Sequence, residues 1–138
     1  MILLDTNVVS DGLKMRPSPN LQSWLDSIEP SGLWISAVTV AELQMGVELV
    51  PDGRKKINLR AGVNQTIDAF GAACLPFDAI AAREFGRVVA ARQRAGRPIE
   101  ALDAQIAAIA ITTGFALATL NTRDFEGIEG LTVIDPSA

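Results

Sequence analysis

The sequence predicts an α/β fold, one domain in which a parallel sheet of about five strands is sandwiched by helices. Three observations predict it. Short apolar runs of strand type alternate with longer segments of helical periodicity along the whole chain. Helix-start and helix-stop residues, among them Ser18-Pro19, Asp78 and Gly114, stand where the periodicity changes. The 138 residues, 49% of them hydrophobic and without a long Pro/Gly/Ser-rich or single-sign block, provide one substantial core and are too few for two ordinary ones.

Ile2-Leu3-Leu4 reads as a buried strand, and Asp5-Thr6-Asn7 is a turn signal at its tip that opens into a helix. Ser18 and Pro19 are the N-cap and first position of a helix through Trp24 and Ile28, and Leu33-Trp34-Ile35-Ser36 is the second strand. A helix covers 38–50, and after the polar turn Pro51-Asp52-Gly53 another runs to Phe70. The third strand is 75–77; Asp78 then caps a helix that places Ile80, Phe85, Val88 and Val89 on its apolar side. Gly96-Arg97-Pro98 breaks that helix, and the next, 101–113, stops at Gly114. A strand over 115–119, a polar loop over 121–130 and a last strand over 131–134 complete the chain. Helices between successive strands imply parallel pairing, and in such an open sheet the site lies beyond the carboxyl ends of the strands.

Composition removes whole classes of chemistry. Histidine is absent, which excludes imidazole bases, imidazole zinc ligands and every Ser-His or Cys-His arrangement. The single Cys74 has no disulfide partner within the chain, and its neighbours Leu75, Pro76 and Phe77 mark it as a core residue. The apolar start is broken by Asp5, so neither a secretory segment nor a membrane span is expected, and a cytoplasmic location is the default. A net charge of −4 argues against a simple nucleic-acid coat. The charges are segregated, however: Arg54, Lys55, Lys56 and Arg60 form one basic group, and Arg83, Arg87, Arg92, Arg94 and Arg97 another.

Three acids stand alone. Asp5 is the only charged residue in the first ten, Glu42 the only one between Glu29 and Glu48, and Asp103 the only one between Glu100 and Arg123. A carboxylate in apolar surroundings must be protonated, paired with a base or bound to a cation. No base is near any of the three in sequence, so a cation is the simplest common answer. Structural readings stand beside it: Asp5 as a helix cap, and Glu42 as part of a capping box Thr39-Val40-Ala41-Glu42. Asp103, in a helix that is apolar nearly all round, is harder to assign a structural role. Asn121 and Asp124 follow the fourth strand and emerge at the same end of the sheet as Asp5, although an Asx residue in a loop is ordinarily a turn former. Asp11, Asp26, Asp52 and Asp68 read as solvated surface charges. Oxygen-only ligands suit Mg²⁺ or Mn²⁺ rather than zinc. The implied substrate is a phosphate ester, which such an ion can activate towards in-line attack by water.

The ordered segments Ile2-Leu3-Leu4-Asp5-Thr6-Asn7, Ile35 to Leu43 with Gly46, Leu75-Pro76-Phe77-Asp78, Asp103 with Ile106-Ala107-Ala108-Ile109-Ala110, and Ala118-Thr119 to Phe125 form a set. As a set they resemble the PIN-domain nucleases, and within them the VapC-like and FitB-type toxins, over essentially the whole chain. The resemblance implies a single PIN-like nuclease domain over 1–138, with Asp5, Glu42 and Asp103 as metal-binding catalytic carboxylates. Thr6 and Asn7 would shape the first strand tip and, with Arg123, meet the substrate. The family's fourth acidic position falls within Thr119-Leu120-Asn121-Thr122-Arg123-Asp124, where asparagine occupies the place of the aspartate found in many relatives. Asn121 and Asp124 are therefore the catalytic candidates there.

The resemblance further implies Mg²⁺ or Mn²⁺ as cofactor, endonucleolytic cleavage of RNA, a cognate antitoxin protein as inhibitor and a homodimer. The basic groups are then expected RNA contacts, and the segment 38–45, uncharged apart from Glu42, is a candidate surface for a second copy or the antitoxin as well as part of the core. Two rival readings remain. An aspartyl-phosphate enzyme with Asp5 as nucleophile would want a second aspartate close behind and a strand-borne lysine, but position 7 is Asn and Lys14 is the only lysine in the first fifty residues. A catalytically weak or inactive metal-binding PIN- or receiver-like module, working through protein partners, is kept open by Asn121.

Overall fold

The computed structural model describes residues 1–138. Its strands are β1 (Ile2–Leu4), β2 (Leu33–Ser36), β3 (Cys74–Leu75), β4 (Ala116–Ala118) and β5 (Val133–Ile134). The helices are α1 (Thr6–Asp11), α2 (Pro19–Asp26), α3 (Ala37–Leu49), α4 (Arg54–Phe70), α5 (Ala79–Arg94) and α6 (Ala101–Thr113), and two short 3-10 turns occupy Pro30–Gly32 and Thr122–Phe125. The strands form one sheet in the order β3-β2-β1-β4-β5, with every pairing parallel. The α/β expectation holds element by element. β1 and β2 have the expected bounds, β4 and β5 are shorter than their apolar runs, and β3 begins at Cys74 and stops before Pro76, which has no amide proton to give a ladder. The loop after β4 contains the Thr122–Phe125 turn, and α2 stops at Asp26 rather than reaching Ile28.

Strand alternation splits the core between the two faces of the sheet. Leu3 and Leu117 pack on one face with Ala104, Ile106, Ala107, Ile109 and Ala110 of α6 and with Val88 of α5. Leu4 and Ala118 pack on the other with Val8 and Val9 of α1, Leu21 of α2, Leu43 and Val47 of α3 and Val63 of α4. Cys74 is half-buried in this second layer, where burial pushes its thiol above the usual range. One side-chain assignment is corrected: Ile80 is 67% exposed. The buried residues of α5 are Ala81, Val88 and Arg92, a stripe at helical spacing that leaves Ile80 to solvent and puts an arginine inside.

The helix ends use the expected chemistry. Asp78 caps α5 by accepting from the Ala81 amide at 2.9 Å, and Gly114 ends α6 at φ 74°, a left-handed conformation that glycine adopts without steric cost. Ser18 occupies the N-cap position of α2 but makes no side-chain cap bond. Its hydroxyl is given to Asp11 instead. No helix is long and apolar enough to cross a membrane.

Candidate active site

From β1 the chain proceeds to β2 and β3 on one side of the sheet, whereas β4 is followed by β5 on the other. The carboxyl ends of β1 and β4 therefore flank the topological switch point, where a crevice opens because the connections diverge. Asp5 sits at its edge. Its amide extends the ladder by donating to Ala118 O at 2.9 Å, and its side chain is only 5% exposed. Oδ1 accepts from the Thr6 amide at 2.8 Å and Oδ2 from the Thr119 hydroxyl, also at 2.8 Å. Asp5 is thus the helix cap foreseen as its structural alternative, and its second oxygen is turned across the switch point.

Thr119 ties the crevice together. Its fully buried hydroxyl has one proton, which goes to Asp5, and it accepts from the Asn121 amide at 3.0 Å and from Asn7 Nδ2 at 3.4 Å. Asn7 Oδ1 in turn accepts from the Leu120 amide at 3.2 Å. The first turn of α1 is thereby fastened to the exit of β4.

Glu42 arrives from α3. The capping-box reading of Glu42 is corrected: Ser36 caps this helix, its Oγ accepting from the Thr39 amide at 3.2 Å. Glu42 Oε1 instead accepts from the Thr6 hydroxyl at 2.7 Å. Thr6 Oγ1 also lies 2.9 Å from the buried Thr39 Oγ1. With the single Thr6 proton committed to the carboxylate, Thr39 is the donor in that second bond.

Asp103 lies in the first turn of α6, half-buried. Its carboxyl is pushed up to about 6, first by burial and then by Asp5, Asp124, Glu42 and Glu100. Burial also raises Asp5, against the hydrogen bonds from Thr119 and Thr6, and Glu42 and Asp124 push in the same direction. Glu42 and Asp124 therefore bear on both Asp5 and Asp103. Asp124, exposed on the Thr122–Phe125 turn, donates its amide to Asn121 O at 3.0 Å. The side chains of Asn121 and Arg123 are exposed beside it. As the side chains stand, no three acids close on one point to make a finished cation site.

The PIN domain profile matches residues 2–131. The chain belongs to the PIN-domain family. Among curated relatives of this PIN domain, a VapC ribonuclease of Sinorhizobium fredii is 36% identical across 99% of this chain and 97% of its own length. The toxin FitB of Neisseria gonorrhoeae is 39% identical, and the match covers 91% of each chain. Among solved structures, FitAB bound to a DNA fragment matches with a TM-score of 0.92 at 35% identity, over 100% of this chain and 96% of that one. A toxin–antitoxin complex from Klebsiella pneumoniae matches with a TM-score of 0.72 at 27% identity, over 99% and 98% of the two chains.

In this PIN domain the structure draws Asp5, Thr6, Asn7 and Glu42 into one hydrogen-bonded network and sets Asp103 and Asp124 within electrostatic reach of it. Thr119 was not singled out from the sequence, because a threonine ending a strand is ordinary β-sheet composition. Its position opposite Asp5 across a parallel pair is the signal that only the sheet order supplies. The surface assignment of Asp11 is overturned: it is 1% exposed and accepts from the Ser18 amide and hydroxyl at 3.0 and 2.9 Å. Several basic residues are paired within the chain, Arg87 with Glu84 and Glu129, Arg60 with Glu48, Lys56 with Asp52 and Arg97 with Glu126.

Proposed function

We propose that this PIN domain is a metal-dependent endoribonuclease, using Mg²⁺ or Mn²⁺, and the toxin of a toxin–antitoxin pair. The observation that carries the reading is the surplus of negative charge at the switch point. Glu42 and Asp124 push up the carboxyls of both Asp5 and Asp103 there, and none of the four acids enters an ion pair with lysine or arginine. An oxygen-only donor set with uncompensated charge fits a hard divalent cation. The names of the relatives support the rest: a VapC ribonuclease, a toxin, and complexes of toxin with antitoxin.

On this reading Asp5, Glu42 and Asp103 hold the ion, with Asn121 and Asp124 on the loop facing them. Such an ion would supply Lewis-acid activation of a phosphoryl oxygen and would ease loss of a proton from the attacking water. The protein's own groups prepare that chemistry. Thr119 and the Thr6 amide fix the plane of the Asp5 carboxylate, and the Thr6 hydroxyl fixes Glu42. Asn7 holds the two strand tips in register. Thr6, Asn7 and the exposed Arg123 line the approach of an RNA strand. A cognate antitoxin and a second copy of the chain are the proposed partners, in the cytoplasm. Met45, Leu49 and Ile57, exposed on α3 and α4, are available to such a contact.

The test is a Mn²⁺ titration of wild type and Asp5→Asn on a panel of structured RNAs, with chelator as control. Cleavage in wild type alone, abolished by the chelator, is the expected result. Equal cleavage by Asp5→Asn, or calorimetric Mn²⁺ binding with no cleavage across a broad panel, would overturn the nuclease assignment, the second in favour of a non-cleaving binding module.

A further inference from the structure

Arg92 is the only cation among the buried residues, at 7% exposure. It stands on the buried stripe of α5, where an aliphatic side chain would pack without the cost of desolvating a charge. No carboxylate compensates it, since it takes part in none of the ion pairs. The guanidinium is spent on backbone carbonyls: Nε donates to Arg97 O at 2.7 Å, and Nη1 to Asp124 O at 3.0 Å and Glu126 O at 3.3 Å.

Two of those carbonyls lie at the carboxyl end of the Thr122–Phe125 turn, where helical carbonyls have no partner of their own and carry partial negative charge. They bracket Phe125, which is 1% exposed and anchors the turn in the core. Arg97 reinforces the clamp from outside, Nη2 donating to Arg123 O at 3.4 Å and to Glu126 Oε2 at 3.5 Å. At the opposite end of the turn the Asn121 amide is held by Thr119.

We infer that Arg92 is a positioning residue, whose buried guanidinium fixes the Thr122–Phe125 turn and through it holds Asp124 at the switch point. Asp124 has its amide bound to Asn121 O and its carbonyl bound to Arg92. Its place is set by the backbone. With Asn at position 121, the acid on this side of the crevice comes from a short turn rather than from the strand tip, and a turn needs an external clamp to keep its geometry. This rests on the proposed metal site, and it concerns the chain's own residues in the metal-free protein as well as in the loaded one.

The experiment is a double-mutant cycle of Arg92→Met and Asp124→Asn on the full chain. It is read by Mn²⁺ calorimetry, by hydrogen exchange at residues 122–127 in metal-free protein, and by thermal melting. Arg92→Met is expected to deprotect those amides and to weaken Mn²⁺ binding by about tenfold, the scale of a lost outer partner of a metal site. Asp124→Asn is expected to weaken binding similarly, and adding Arg92→Met to it should change binding no further. A purely structural Arg92 predicts a lower melting temperature with unchanged Mn²⁺ affinity, or losses that add in full, and either would overturn the inference. So would unchanged affinity in Asp124→Asn. If Arg92→Met does not fold, Arg92→Lys carries the same test, because an ammonium keeps the charge without the rigid fork that spans three carbonyls. Absence of Mn²⁺-dependent RNA cleavage in wild type would count against the nuclease reading alone; wild-type cleavage with Asp124 needed and Arg92→Lys or Arg92→Met indifferent in Mn²⁺ affinity would count against this one alone.

Discussion

The two ends of α1 each carry a buried aspartate, and the two are opposites in everything but burial. Asp11 accepts from the Ser18 amide and hydroxyl and from Gln22 Nε2, and Lys14 Nζ lies 3.3 Å away. The hydrogen bond from the Ser18 backbone is the main reason its carboxyl lies below the usual range. Asp5 has two donors, and beyond them it faces other acids; burial and those acids raise its carboxyl. Asp11 is a charge whose partners are all supplied by the fold, and it joins α1 to α2. Asp5 is a charge the fold leaves in excess. Burial alone does not distinguish a structural carboxylate from a site carboxylate; the balance of donors and acids around it does.

The largest effect that follows is an exchange of phenotypes. Asp5→Asn removes a like charge from the crevice, so it should leave the melting temperature at or above wild type while RNA cleavage falls about a hundredfold or more, as when one preorganised electrostatic group is lost. Asp11→Asn should do the reverse, lowering the melting temperature because buried donors lose their ionised acceptor, with cleavage per folded molecule near wild type. Thermal melts beside single-turnover cleavage of one RNA decide it. An Asp11→Asn protein that melts with wild type would break the comparison.

Next in size is a pH effect, in which the two kinds of carboxylate pull in opposite directions. Asp103 is raised to about 6 from 3.8. Its contribution to stability is therefore complete below the unfolded value and is lost as pH rises through about 6. The Asp11 carboxyl is lowered, so its contribution is present above the ordinary carboxylate value and is lost as pH falls through the lower folded one. Metal-free protein should accordingly melt highest at mildly acidic pH and lose stability towards neutrality. Asp103→Asn should flatten the neutral limb and Asp11→Asn the acid limb, measured as melting temperature against pH in chelator. A neutral limb unchanged in Asp103→Asn would show that the charge repulsion lies elsewhere.

The same contrast explains what the sequence disclosed. Asp5, Glu42 and Asp103 stood out because each is a lone charge in an apolar stretch, a local property, and the strand and helix order followed from local periodicity and caps such as Asp78 and Gly114. Asp11 reads as a surface charge in the sequence because the partners that bury it are not visible there. The Ser18 amide and hydroxyl reach it only when the loop 12–17 folds back. Thr119 and Arg92 escaped for a stronger form of the same reason. The hydroxyl that orients Asp5 is 114 residues away in sequence, and the Asp124 carbonyl that Arg92 binds is 32 residues away. Nothing in an isolated threonine or in one arginine of a basic helix signals such a partner.

The smallest effect extends the rule to cations. Arg87 is paired with Glu84 and Glu129 and also donates to Glu129 O at 3.0 Å, whereas the exposed Arg123 side chain has no acid within ion-pair distance and sits one residue from Asp124. Arg123→Ala should raise KM for RNA a few-fold at constant kcat and reduce the slope of log affinity against log salt by about 0.7, the share of one phosphate contact on a single strand. Arg87→Ala should change neither, since its charge is already spent within the chain. Exposed ion pairs are weak, about 0–1 kcal/mol, so RNA phosphates could displace Glu84 and Glu129 from Arg87. A salt slope that moves with Arg87 and not with Arg123 would show that such displacement occurs, and that the balance of local partners, decisive for buried carboxylates, does not govern arginines in water.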